Sequence, residues 1–424
     1  MTGTSITRRR AAQLGAGLVG APALLRLSPA RAANDVIRVG YVNALTGPLA
    51  GFGEADGFIL EQVRKILGDG IQSGGKKWKV EIIAKDSQSN PNRAAEVAQE
   101  LILSNKVDLL LATSAPETVN PVADQAEANE TPCVTTNCPW QPYFFGRNGD
   151  PAKGFKYTYH YFWGLEDVIA AYLAMWDGVP TNKIVAGLFP NDADGNAWGD
   201  PKLGLPPAFD KAGYKIVDPG RYQVMSNDFT AQIAAYKKAG CEIVVGNMIP
   251  PDFATFWGQC AQQGFKPKIV TIGKALLFPS VIDSLGARGA GLSSEVWWTP
   301  SHPYKSGLSG QSCKQLCDAY TAATKRPWTQ PLGYVHSLFE IAIDVLKRAK
   351  DVKSSASVLE AIASTDYKSV VGPVKWTGQP VKNVTKTPLV AGQWRKAANG
   401  FDLVIAENKT APEIPLGGKL EPLA

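Results

Sequence analysis

Residues 36–63 read VIRVGYVNALTGPLAGFGEADGFILEQV. Val36, Ile37, Val39 and Val42 form a β-branched run that stops in a Gly/Pro-rich loop, Leu45 to Gly57. From Phe58 through Leu60 and Val63 the apolar residues recur at helical spacing. Strand, long loop and helix make the opening of a βαβ unit. The loop leaves the C-terminal end of the strand, where open α/β sheets bind ligands. What Thr46-Gly47-Pro48 and Phe52-Gly53 hold therefore bears directly on function.

Upstream, residues 1–33 have the anatomy of an export signal. Thr7-Arg8-Arg9-Arg10 precedes a weakly apolar run, Ala11 to Leu25, and Ala30-Arg31-Ala32 offers a small-x-small cleavage site near Ala32. The apolar run is shorter than the roughly 20 residues that span a bilayer. Paired arginines and modest hydrophobicity resemble a twin-arginine signal, with Ala11-Ala12 departing from its bulky positions; an ordinary export signal is the alternative. Removing residues 1–34 removes five arginines and no acid, so the formal charge falls from +6 to +1. No nucleic-acid or membrane-surface footprint is then left. No later stretch reaches transmembrane length, so the mature chain is expected to be soluble, in the periplasm.

About 390 residues exceed one comfortable core, and two domains are the default. Downstream, strands and helices alternate. Trp78–Lys85 reads as a second strand, and Val107–Ala112 as a parallel strand covered on both faces. After a strand at Pro132–Thr136 a second βα series begins, with helix Leu165–Trp176, strand Lys183–Phe189, helix Lys202–Ala212 and strand Tyr214–Tyr222. Strands at Glu242–Asn247 and Lys268–Ile272 complete it; helices Ser312–Thr324 and Tyr334–Arg348 and a β-rich tail follow. The seams at 146–161 and 297–310 suit crossings between two lobes with a cleft between them.

The loops after strands would meet across that cleft. In the first block they are Asn43–Gly57, TSAPET (Thr113–Thr118) and TNCPW (Thr136–Trp140). In the second they are PNDADGNAWG (Pro190–Gly199), MIPPD from Met248, and GKALLF (Gly273–Phe278). Helix N-termini and hydroxyls suit a carboxylate; aromatics suit a ring-bearing or apolar body.

Five stretches in this order, IRVGYVNALTGPLAGFG, AKDSQSNPNRAAEVAQELI, VDLLLATSAPETVNPVADQ, NDADGNAWG and VVGPVKWTGQP, resemble the type I periplasmic solute-binding proteins of ABC transporters, in the leucine/isoleucine/valine-binding family. The resemblance implies an α/β fold of two doubly wound parallel-sheet lobes joined by a three-crossing hinge. It puts residues 34–160 and 298–368 in lobe 1, and 161–297 and 369–424 in lobe 2. It implies a monomer that binds a small-molecule solute, delivers it to a membrane permease, and is not an enzyme; no catalytic residue, metal or cofactor is expected.

The family grips an amino acid through a serine, a threonine, an acid and a covering aromatic. Ser114 or Ala115 stands at the serine position. Trp140 aligns best with the threonine, with Thr136 and Asn137 close by, and Trp198 fits the covering aromatic. Phe52 and Met248 complete the candidate lining. Where the acid is expected, Lys274 stands between Gly273 and Ala275. A lysine would repel an ammonium and attract a carboxylate. The expected solute is thus a small carboxylate or amino-acid-like molecule with an apolar or aromatic body, sandwiched by Trp140 and Trp198, and not an ordinary α-amino acid. Each residue also has a structural reading: the tryptophans as padding, Lys274 as a solvated lysine, Phe52 as cover for the first helix, Ser114 and Thr136 as helix caps, Asp86 as a loop brace.

Cys241 and Cys260 are a plausible disulfide, since the helix carrying Cys260 returns toward the start of the strand at Cys241. Cys313 and Cys317 lack two further zinc ligands. Two other classes compete. Gly51 to Gly57 resembles a dinucleotide fingerprint with Asp86 as the ribose acid, although its third glycine is one place late; that would make an exported NAD(P)-dependent oxidoreductase. The second is a ligand-sensing lobe pair acting through a protein partner.

Overall fold

The structure, a computed structural model, describes residues 36–423. The export segment expected over residues 1–33, with its cut near Ala32, lies outside the described residues. The chain first builds β1 (Val36–Asn43), α1 (Asp56–Leu67), β2 (Ile71–Ser73), β3 (Lys76–Asp86), α2 (Pro91–Gln99), β4 (Leu109–Thr113), α3 (Pro116–Ala128), β5 (Cys133–Thr136), α4 (Trp140–Phe144) and β6 (Thr158–Tyr161). It passes over to α5 (Leu165–Trp176), β7 (Ile184–Leu188), α6 (Ala193–Trp198), α7 (Leu205–Lys211), β8 (Lys215–Val217), α8 (Thr230–Ala239), β9 (Ile243–Gly246), α9 (Pro250–Gln262), β10 (Ile269–Ile272), α10 (Pro279–Ser284) and β11 (Ser293–Val296). It returns as α11 (Cys313–Thr324), α12 (Gln330–Arg348), α13 (Ser355–Ala363), the hairpin β12 (Asp366–Ser369) and β13 (Gly372–Lys375), and β14 (Val384–Thr385). Finally β15 (Val390–Lys396) and β16 (Phe401–Glu407) rejoin the second sheet.

Two seven-stranded sheets result, ordered β14-β6-β5-β4-β1-β3-β2 and β16-β15-β11-β10-β9-β7-β8. The first is parallel except at its β2 edge; the second is parallel from β8 to β11, with β15 and β16 antiparallel. Every residue of β4, β5, β9 and β10 is buried, because helices cover both faces of a parallel sheet. In each sheet the strand order reverses beside the first strand, β1 or β7, and a crevice opens at the strand C-termini there.

Three crossings join the sheets: just after Tyr161, just after Val296, and between Thr385 and Val390. The last passage lies downstream of the boundary expected at 368/369. Residues 370–385 instead stay with the first sheet, because Val370 donates its N–H to Glu340 of α12 (2.9 Å) and β14 pairs with β6. The crossings pack together: Phe162 N–H bonds Thr385 O (3.1 Å), Tyr334 OH bonds Thr387 (2.8 Å), and the Trp297 ring lies 5.2 Å from Phe162 and 5.1 Å from Tyr334. Tyr334 belongs to α12, whose residues from Gln330 to Ile343 are all buried. Elsewhere the expected elements shift modestly. The helix expected from Lys202 starts at Leu205, and the strand expected to reach Tyr222 stops at Val217, before a Pro-Gly pair that breaks the ladder. Short α4 and β11 had no periodicity long enough to read.

Candidate functional site

The loop after β1 is shaped from within. Buried Asn43 donates from its amide to Tyr41 OH (3.0 Å), Phe52 O (3.1 Å) and the Asp56 carboxylate (3.0 and 3.1 Å), and accepts Ala44 N–H (2.8 Å). Burial pushes the Asp56 carboxyl up to about 7. Asp86, at the end of β3, accepts Leu45 N–H (2.9 Å), Thr46 Oγ1 (2.6 Å) and Gln88 N–H (2.7 Å). Partial burial works to raise its pKa, but these bonds outweigh it and hold the carboxyl below its usual value. Thr46-Gly47-Pro48 is therefore tied to Asp86, and the loop tip carries Phe52 inward, with its ring 5.2 Å from Phe278 of the second lobe. The dinucleotide reading loses its support here: Asp86 is engaged with the loop, and a Cβ on Gly53 would meet Ala44 O at 2.6 Å, so that glycine serves a close approach within its own loop.

Opposite this loop the sheets close on a crevice. The first lobe contributes Phe52, Ala115, Pro116, Asn137 and Pro139, and the crossings contribute Phe162, Trp163 and Trp297. The second lobe adds Asp194, Trp198, Asn247, Lys274, Leu277 and Glu295. All but Glu295, within β11, stand beyond strand C-termini. The space left for the centre of a water-sized sphere is about 20 Å³, room for about one water. A larger molecule enters only if the lobes part. Ser114 (φ 135°), Asn137 (φ 69°) and Lys274 (φ 58°) hold left-handed backbone in three of these loops, a strain that structures concentrate at ligand clamps.

Several lining groups are buried without a hydrogen-bond partner: both side-chain atoms of Asn137 and Asn247, Asp194 Oδ1, and the indole N–H groups of Trp163, Trp198 and Trp297. Buried polar groups are nearly always paired. A cluster without partners at one crevice points to a ligand that supplies them.

Charge is concentrated at Lys274, whose Nζ lies 3.1 Å from Glu117 of α3, 3.3 Å from Asp192 and 3.2 Å from Asp194. Burial opposes its charge, but Asp192, Glu117 and Asp194 outweigh that and hold its pKa well above the usual lysine range. Three carboxylates around one ammonium cannot all keep their charge at no cost. Burial, opposed by Lys274 and reinforced by Asp192 and Asp194, pushes Glu117 up to about 7. Burial also raises Glu295, which accepts Tyr172 OH and Ser294 Oγ (3.0 Å) and feels the nearby charge of Asp194.

Of the residues singled out in the sequence, Phe52, Ala115, Asn137, Trp198 and Lys274 line the crevice. Ser114, Thr136, Trp140 and Met248 do not. Thr136 donates its hydroxyl to Tyr161 O (2.7 Å), Ser114 Oγ is buried off the lining, and Met248 packs in the second lobe's apolar core. Trp140 opens α4 after Pro139 takes the wall position. Its indole N–H reaches Glu166 (3.1 Å), and its ring packs on Phe144 and Phe145 in a separate rim groove with Leu203. The expected Trp140/Trp198 sandwich is therefore not formed. Lys274 does not stand free for a solute carboxylate, because three acids hold it. Asp194 and Glu295 were missed: the first lay unread inside NDADGNAWG, and the second was a lone charge in a buried strand. Cys241 and Cys260 are free thiols, as are the other four cysteines; both pack in the apolar core beside Tyr236, and burial pushes them up to about 11 and about 12. His160 is a buried neutral bridge between Thr135 (2.8 Å) and Cys138 O (2.9 Å).

The sequence profile described as periplasmic binding protein matches residues 36–399. Among solved structures, a solute-binding protein of an ABC transporter from Rhodopseudomonas palustris BisB5, in complex with 3,4-dihydroxybenzoic acid, is 19% identical, with 90% of this chain and 99% of that one covered at a TM-score of 0.71. A leucine-binding protein from Thermotoga maritima is 17% identical (88% and 99% covered, TM-score 0.69). The branched-chain amino acid transporter substrate-binding protein of Streptococcus pneumoniae, in complex with isoleucine, is 15% identical (87% and 99%, TM-score 0.68). Likeness at this identity establishes the shared two-lobed fold.

Proposed function

The chain belongs to the periplasmic binding protein family, and we propose that within it the chain is the extracytoplasmic solute-binding component of an ABC importer. It takes a small solute with an apolar or aromatic body into the interlobe crevice and does not transform it. The observation that carries this reading is the set of partnerless buried polar groups around Asn137, Asn247 and Asp194, drawn from both lobes. Relatives of the same fold were solved with aromatic acids or a branched-chain amino acid, so a carboxylate or an amino-acid-like molecule is the starting solute class.

The mechanism follows from the geometry. With the lobes apart, water satisfies the exposed polar groups. Solute held by one lobe supplies contacts that only the closed form completes, and the equilibrium moves by the difference in affinity between the two forms. The closed shape, with Phe52 against Phe278 and Glu117 against Lys274, is what a membrane permease would read. The protein acts as a monomer in the periplasm, delivered there by the twin-arginine-like segment at residues 1–33. Thermal-shift screening of amino acids and small aromatic acids and amines tests the reading: a solute at a hundred times its Kd raises stability by about 2.7 kcal/mol. Turnover of any such compound would overturn it.

A further inference from the structure

The chemistry of the crevice points away from the carboxylates and amino acids held by relatives of this fold, and the inference rests on the solute-binding reading above. The first observation is what the crevice lacks. A carboxylate is held by hydroxyls, a helix N-terminus or a free cation. Thr136 has turned its hydroxyl to Tyr161 O, and Ser114 lies off the lining. The first turn of α3 begins with Pro116, which has no N–H, and already carries the Glu117 carboxylate. Lys274 is the lysine or arginine among the lining residues, and it is bound to Glu117, Asp192 and Asp194.

The second observation is what the crevice offers. Asp194 and Glu295 both line it, and nothing in the wall balances them beyond the already over-matched Lys274. Asp194 Oδ1 is buried with no partner, and the Asn137 and Asn247 amides are in the same condition at both oxygen and nitrogen, so they offer acceptors and donors alike. Around them stand the rings of Phe52, Phe162, Trp163, Trp198 and Trp297. Aromatic faces attract cations, tryptophan most strongly, and more so when water is excluded. An anion would meet two carboxylates at close range with no free cation to offset them; a zwitterion would satisfy the acids and leave its carboxylate unmatched. Three partnerless indole N–H groups and the partnerless amide nitrogens of Asn137 and Asn247 are five donors, which a neutral oxygen on the solute can meet without any counter-charge.

From this juxtaposition we propose that the solute is a small organic cation, an amine or quaternary ammonium that also carries a neutral oxygen on a ring-sized apolar body and has no carboxylate, its charged nitrogen held by Asp194 and Glu295 within the aromatic walls. The purified chain is titrated calorimetrically and by thermal shift with tyramine, 2-amino-1-phenylethanol and choline. The same is done with the matched carboxylates benzoate and phenylacetate, and with the zwitterions L-leucine and L-phenylalanine. Cations are expected to bind and stabilise, and carboxylates and zwitterions to give no heat. Glu295→Gln, which keeps an acceptor for Tyr172, is expected to weaken the cations about tenfold or more while a neutral analogue, benzyl alcohol, is little affected. The wild-type comparison stands even if that variant fails to fold. Carboxylates or zwitterions binding where cations do not would overturn the charge assignment and leave the solute-binding reading in place. Silence of the whole panel at millimolar concentration would overturn the assignment too, whereas chemical conversion of a panel member would overturn the solute-binding reading itself.

Discussion

Replacing Glu117 with Gln tests whether protons help the lobes close. In the closed form Glu117 lies 3.1 Å from Lys274, with Asp192 and Asp194 crowding the same ammonium, and burial pushes its carboxyl up to about 7 from an ordinary 4.5, against the pull of Lys274 and with a smaller push from those acids. With the lobes apart, the groups of the second lobe withdraw and the carboxyl returns toward the ordinary value. The closed form thus holds a proton on Glu117 below about pH 7, while the open form takes one up only near 4.5. Acidification between those values favours closure, and the benefit is complete below 4.5 and lost as the pH rises through 7. At about 1.4 kcal/mol per pK unit, the shift amounts to roughly 3 kcal/mol between pH 8 and pH 4.5, changing by at most about one proton's worth per pH unit. Gln is isosteric, permanently neutral and still able to accept from Lys274. In the solute-free protein, the radius of gyration measured by small-angle scattering should fall as the wild type is acidified from pH 8 to 5. It should already be low at pH 8 in Glu117→Gln, with a shallower slope. Parallel curves for the two proteins would refute the reasoning.

Other expectations follow from the same geometry. Trp198→Ala should weaken solute binding at least tenfold by calorimetry, since the ring is buried in the crevice wall, whereas Trp140→Ala should leave affinity unchanged because Trp140 packs on the rim with Phe144 and Phe145. Asp86→Ala removes the acceptor for Leu45, Thr46 and Gln88 and should cost about 1–3 kcal/mol in urea unfolding. Because the Asp86 carboxyl is held low, its contribution is present above the ordinary carboxylate range and fades as pH falls through its folded value; a variant with the same acid-side profile as wild type would contradict this. Thiol titration in denaturant under non-reducing conditions should count six free cysteines; a count of four, with a Cys241–Cys260 cross-linked peptide in a non-reduced digest, would reinstate that bridge.

Periodicity revealed the fold because parallel strands buried on both faces, such as Leu109–Thr113 and Ile243–Gly246, are continuous apolar runs that no solvent-facing element imitates. The strand-end rule also pointed to the loops that line the crevice, and Phe52, Ala115, Asn137, Trp198 and Lys274 stand there. It failed wherever the direction of one side chain decided the matter. Pro139 and Trp140 are adjacent, yet a one-turn helix faces the first into the wall and the second onto the rim. Thr136 ends a strand with its hydroxyl turned to a neighbouring carbonyl, which no spacing reveals. Lys274 looked like a cation for a ligand because its three acids come from α3 in the other lobe and from a loop some eighty residues away. Pairings that distant are written in tertiary structure alone.

The three chain passages between the sheets, held side by side by Phe162, Trp297, Tyr334 and Thr387, have a mechanical consequence. A single flexible tether would let two bodies explore three rotations and would charge each capture event with the entropy of suppressing them. Three adjacent tethers bonded to one another leave one soft rotation, so every approach of the two halves follows the same arc. Selectivity is then decided at the end of that arc, where a molecule of the wrong shape or charge stops the swing early.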